Sequence, residues 1–148
     1  MTDIKDPHIT LREGLSIFKN RNSKYFSEQE YKKEGQEFIE SHDIAHVVFG
    51  CNTTLYGEGI VKIWTTFGSN LSFWEVTKGY KNVNAHELAS EYSAKHVVPS
   101  LFKLLRDIPL AILRSKKMKK PWPFYSYHPH LDHTLFEIRK EYNIQILE

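Results

Sequence analysis

One cysteine, Cys51, is all the thiol chemistry the chain carries, so no intramolecular disulfide can form and a reducing compartment suits it. It also lacks any apolar run approaching the roughly 20 residues that a membrane-crossing helix requires. The opening MTDIKDPHITLREG has neither an apolar signal core nor the Arg/Ser-rich, acid-poor pattern of a transit peptide. The expected location is therefore the cytoplasm, including the inner face of the membrane should a lipid partner draw it there. Net charge is nearly absent as well. At +2 it is too small to neutralise a phosphate backbone, which excludes nucleic acid as an expected partner. No internal repeat or low-complexity tract is visible, and YNIQIL near the C-terminus is the sole, weak β-like run.

What is present is ordinary globular composition. Hydrophobic residues make up 41% and charged residues 26%, and 148 residues suffice for one real core but not for two ordinary ones. The expectation is an all-α fold in a single domain spanning residues 1–148. Residues 9–20 predict a short helix. Ser27 and Glu30 form a capping box that opens another, sparse in apolar residues and largely exposed until it nears His42. Leu55 to Phe67 carries Ile60, Val61, Ile63, Trp64 and Phe67 in helical rhythm, closed by Gly68, and reads as the central buried helix. Leu71 to Val76 predicts a short helix ending near Gly79. From Asn84, with Glu87 three residues on, a long pattern presents Leu88, Tyr92, Val97, Val98, Leu101, Leu104 and Leu105 as its buried face. Pro99 should kink this helix and Pro109 should kink or end it, so that the proline-kinked region reads as several short helices.

The stretch His42 to Glu58, HDIAHVVFGCNTTLYGE, is the chemical centre of the sequence. On an α-helix, at roughly 100° per residue, His46 projects within about 40° of His42 and about 60° of Asp43. Glu58, twelve residues beyond His46, would be turned away and raised by about 18 Å on one straight helix, so the chain has to turn. Gly50 suits the end of the first helix; Asn52, Thr53 and Thr54 are residue types that start a second. Glu58 then lies in the first turns of that second helix and can face the histidines. Two imidazoles with one or two carboxylates suit zinc, iron(II) or manganese without any thiolate. Gly57 and Gly59 weaken the helix around Glu58, which either close approach of a facing group or a tolerated weak turn explains. Cys51 reads as a small residue at the helix junction in preference to a further ligand.

The pattern H-D-x-x-H, eleven residues, then E, filled by His42, Asp43, His46 and Glu58, resembles that of the coenzyme Q (ubiquinone) biosynthesis protein 4 family. GEGIVKIW after the glutamate and LFEIRKEYNI at 135–144 resemble the family's flanking and closing helices. The resemblance runs from about Ser27 to the C-terminus, and its ligand motif is the specific part. It implies a divalent metal, zinc first with iron or manganese next, held by His42, Asp43, His46 and Glu58, with open positions for a substrate carboxylate or oxygen. It also implies a polyprenylated quinone precursor or other lipid as partner, oxidative decarboxylation of the ring with Asp43 or Glu58 as proton carrier, and contact with quinone-biosynthesis enzymes. A non-catalytic protein presenting a lipid to such enzymes is the alternative.

His42-Asp43 is also the dyad of HD-type metal-dependent phosphohydrolases, which need a further histidine and aspartate. His8 and Asp107 are the choices here, and Glu58 at matching spacing favours the first family. A basic cluster, Arg114, Lys116, Lys117, Lys119 and Lys120, leads into Pro121, Trp122, Pro123, Phe124, Tyr125 and Tyr127. Either the cations and Trp122 meet an anionic membrane, or the aromatics pack back on the core over a solvated loop. His128, His130 and His133, with Asp132 among them, form a second histidine group, read as the wet start of the last helix in preference to a metal site.

Overall fold

The computed structural model describes residues 3–23, 33–82 and 94–147. Among them the fold is all-helical, with no strand: α1 (Leu11–Arg21), α2 (Lys33–Phe49), α3 (Leu55–Gly68), α4 (Phe73–Asn82), α5 (Ala94–Lys116), a 3-10 turn (His128–His130) and α6 (Leu135–Tyr142). The expected capping residues Ser27, Glu30, Asn84 and Glu87, with Leu88 and Tyr92, lie outside the described residues.

Local sequence chemistry sets most helix ends. Thr10 and Glu13 make a reciprocal capping box on α1, and Thr134 and Glu137 repeat it on α6. Gly50, at φ 66°, takes the left-handed conformation that ends α2, and Thr54 caps α3 by accepting from the Gly57 amide. α2 is the spine. Phe38, Ile44, Ala45, Val47, Val48 and Phe49 are all buried on it, and Phe49 stacks on Trp64 of α3 at 4.8 Å. The earlier part of α2 exposes Gln36, Glu37 and Glu40 as expected and buries Phe38 of the sparse apolar stripe, whose ring lies between Tyr80, Phe124 and His42.

Several expectations are corrected. The fourth helix begins at Phe73, where Ser72 and Glu75 cap it, and passes through Gly79 without ending there. Gly79 makes room instead: a Cβ at that position would fall 2.1 Å from the Phe38 ring. α5 is one helix and not several, since Pro99 and Pro109 both sit on its exposed side, where the carbonyls they leave unpaired can bond to water. Its inward stripe is Leu104, Asp107, Ala111 and Ser115, packed on α3, while Val98, Leu101, Phe102, Leu105 and Leu113 face outward. Trp122, Phe124 and Tyr127 are buried and belong to the core, so Trp122 does not present its ring to a membrane, whereas Tyr125 is exposed. α6 begins at Leu135, after a separate turn at His128–His130.

Candidate metal centre

Consecutive helices bring the central donors together. His42 and His46 lie one turn apart on α2, and the Gly50 to Thr54 turn returns the chain so that Glu58, in the first turn of α3, faces them. The two Nε2 atoms are 3.1 Å apart; Glu58 places Oε1 3.1 Å from His46 Nε2 and Oε2 3.3 Å from His42 Nε2. Both histidines are buried and Glu58 is partly so. Its place at the positive end of a helix also favours an anionic carboxylate.

The outer ring nitrogens fix the orientation. Cys51 carbonyl oxygen can only accept, so His46 Nδ1–H donates to it at 3.1 Å and Nε2 carries the lone pair into the cluster. Tyr80 Oη stands 3.2 Å from His42 Nδ1 and can hold that ring in the same tautomer. Phe18 stacks on His46 and Phe38 on His42. Two ring nitrogens and a carboxylate then converge within hydrogen-bonding distance of one another, an arrangement that a cation among them would stabilise. The donor set fits a divalent metal of the zinc, iron or manganese type. A proton on His46 would stabilise the convergence in the same way. Burial alone would lower the basicity of His46, but the Glu58 carboxylate beside it raises its pKa above the usual value. Burial keeps His42 below its usual range. Glu58 is held well below the carboxylate range, because His46 and His42 outweigh a burial effect of opposite sign.

Asp43 does not join the three donors. It is buried on α2, and burial pushes its pKa up to about 7, against the opposing charges of His46 and Lys19. Cys51 contributes its carbonyl, not its thiol: the buried thiol donates weakly to the Phe49 carbonyl, and burial raises its pKa to about 12. Of the two residues an HD-type site would add, His8 is exposed, and Asp107 accepts from Tyr56 Oη at 2.9 Å and from Arg106, outside the cluster. Close approach accounts for both glycines beside Glu58. A Cβ at Gly57 would strike the Asn52 carbonyl at 2.0 Å, and one at Gly59 would meet Leu104 of α5 at 2.7 Å.

Sequence reasoning missed Tyr80, Phe18 and the Cys51 carbonyl. Tyr80 is 38 residues from His42, and a backbone carbonyl has no residue signature.

Fold and site together define an all-helical protein with a buried His-His-Glu cluster, built by two successive helices, that could hold a metal ion. Comparison with protein-family models, with curated proteins and with solved structures finds no match to this chain.

Proposed function

We propose that the chain binds one divalent metal, zinc first and iron or manganese next, through His42, His46 and Glu58, and acts on a polyprenylated quinone precursor as proteins resembling the coenzyme Q biosynthesis protein 4 family do. The observation that carries this reading is the convergence of His42, His46 and Glu58 at the spacing of that family's motif. A bound metal would supply Lewis acidity toward a ring carboxylate. His46 is oriented by the Cys51 carbonyl and His42 by Tyr80, so the imidazoles hold position without reorganising. Asp43, outside the donor set, keeps its carboxyl for proton traffic during oxidative decarboxylation. The outward apolar stripe of α5, with Phe73 and Trp74 of α4, is a surface on which a membrane holding the polyprenyl tail could rest. Lys103 and Arg106 on α5, with the Lys116 to Lys120 cluster after it, offer cations for anionic headgroups.

Purified protein should carry about one equivalent of metal, and His46→Ala and Glu58→Gln should each abolish it. Metal-loaded protein given dioxygen and a two-electron donor should convert a polyprenylated hydroxybenzoic acid to the product with hydroxyl in place of carboxyl, releasing carbon dioxide and water, detected by mass spectrometry. Metal and lipid binding without turnover would move the reading to the non-catalytic lipid-presenting protein. Absence of bound metal in the wild type would overturn both.

A further inference from the structure

We propose a second cation site, at the surface, formed by His130, His133 and Glu141 for a borderline divalent metal such as zinc, nickel or copper. It shares no residue with the buried centre. One donor atom from each of the three lies within 4.8 Å of the other two. Two imidazole nitrogens with one carboxylate oxygen is a set that such ions accept, with at least one coordination position left to solvent.

Three observations carry the assignment. The first is the backbone frame. The amides of Leu11 and Arg12, at the start of α1, donate to the carbonyls of His133 and Leu131 at 2.9 Å each, and the His133 amide donates to the His130 carbonyl at 3.1 Å. The loop that spaces the two histidines is therefore held before any ion arrives. Glu141 comes from the last turn of α6, whose buried residues Leu135, Ile138 and Tyr142 anchor it to the core. The second is the state of the His130 ring. Its Nε2 is 2.9 Å from Tyr142 Oη, and Trp122 packs against the ring at 5.2 Å, so the imidazole is oriented from one side. Its Nδ1 is buried and has no hydrogen-bond partner. A buried ring nitrogen without a partner is costly, and ligation at Nδ1 would remove that cost while Tyr142 plays the outer-shell role that ligating histidines need. The third is the carboxylate. Lys120 Nζ donates to Glu141 Oε1 and lies 4.5 Å from the centre of the Tyr142 ring, which leaves Oε2 for a second cation. Lys120 opposes the ion by its charge. Its removal should therefore strengthen binding, opposite in sign to the removal of a ligand.

The test is zinc and cobalt(II) titration of the full chain after chelator treatment, read by equilibrium dialysis and by cobalt absorption. The wild type should show two classes of site. His133→Ala and Glu141→Gln, both at exposed positions, should each weaken only one class by tenfold or more. Lys120→Gln should tighten that class several-fold, and Glu58→Gln should remove only the other. If the wild type binds a single equivalent and His133→Ala releases it, the surface site stands and the buried centre fails as a metal site. Unchanged binding in both His133→Ala and Glu141→Gln would overturn the surface site, whatever Glu58→Gln does.

Discussion

Gly79 stands inside α4, where alanine would ordinarily stabilise a helix by roughly 0.5–1 kcal/mol. Here the sign should reverse. The added methyl would enter the Phe38 ring, which is itself confined by Tyr80, Phe124 and His42, and overpacking of this kind costs about 1–3 kcal/mol. Gly79→Ala should lower the midpoint of thermal unfolding and, because Phe38 stacks on His42, weaken metal binding as well. A midpoint at or above wild type would show that the ring has space to move. Tyr80→Phe separates orientation from packing. It deletes only the hydroxyl beside His42 Nδ1, and loss of such an outer partner typically weakens metal binding 10–100-fold. The thermal midpoint of metal-free protein should hardly change; equal zinc affinity in titration would refute the role given to Tyr80. At this scale the histidine pair and Glu58 were legible because helical periodicity and one turn suffice to bring them together. Asp43 was over-read. Angular proximity on a helical wheel is necessary for convergence but not sufficient, and this short side chain does not join the three donors.

The elements show where periodicity loses its power. In α5 apolar residues occupy two opposite stripes, so the sequence pattern announces a helix without saying which stripe is buried, and Val98, Leu101 and Leu105 were placed inside when they lie outside. Capping boxes depend on residues three apart, yet the two expected ones, Ser27–Glu30 and Asn84–Glu87, lie outside the described residues, and those at Thr10–Glu13, Ser72–Glu75 and Thr134–Glu137 were passed over. The outward stripe leads to a direct expectation. Replacing Leu101, Phe102 and Leu105 together by serine should leave the thermal midpoint within a few degrees of wild type and sharply reduce co-sedimentation with anionic vesicles. Undiminished co-sedimentation would remove α5 from the membrane reading. Arg139 of α6 illustrates a contact no pattern predicts. Its buried guanidinium donates to the carbonyls of Val47 and Val48 at 3.0 Å and of Ile4 at 3.1 Å, closing the negative end of α2 just beyond the turn that carries His42 and His46. Burial lowers its pKa to about 10, still protonated at neutral pH. Arg139→Met should strand these carbonyls and cost on the order of 2–4 kcal/mol, visible as a lower urea midpoint. A midpoint matching wild type would mean that water replaces the guanidinium freely.

For the whole molecule the buried cluster acts as a clasp between α2 and α3, the two helices that carry Phe49 and Trp64 at the centre of the core. Without an ion, two buried imidazoles and the partly exposed Glu58 carboxylate stand within 3.3 Å of one another, a contact that a proton on His46 would stabilise. With an ion, the same groups become a cross-link absent from the unfolded chain. Ligand binding to the folded state alone stabilises it by about 2.7 kcal/mol when the free ion exceeds its dissociation constant a hundredfold. For a domain near 150 residues, each kcal/mol moves the thermal midpoint by about 2–4 °C. Zinc at that excess should therefore raise the midpoint by about 6–10 °C, and chelator should return it to the metal-free value. Performed on the His133→Ala protein, the measurement reports the buried centre without contribution from the surface histidines. Glu58→Gln should eliminate the zinc-dependent rise even where its metal-free midpoint differs little from wild type, since the carboxylate is the only anionic member of the set. A rise that survives Glu58→Gln unchanged would mean that the ion stabilises the fold from elsewhere, and the clasp between α2 and α3 would have to be abandoned.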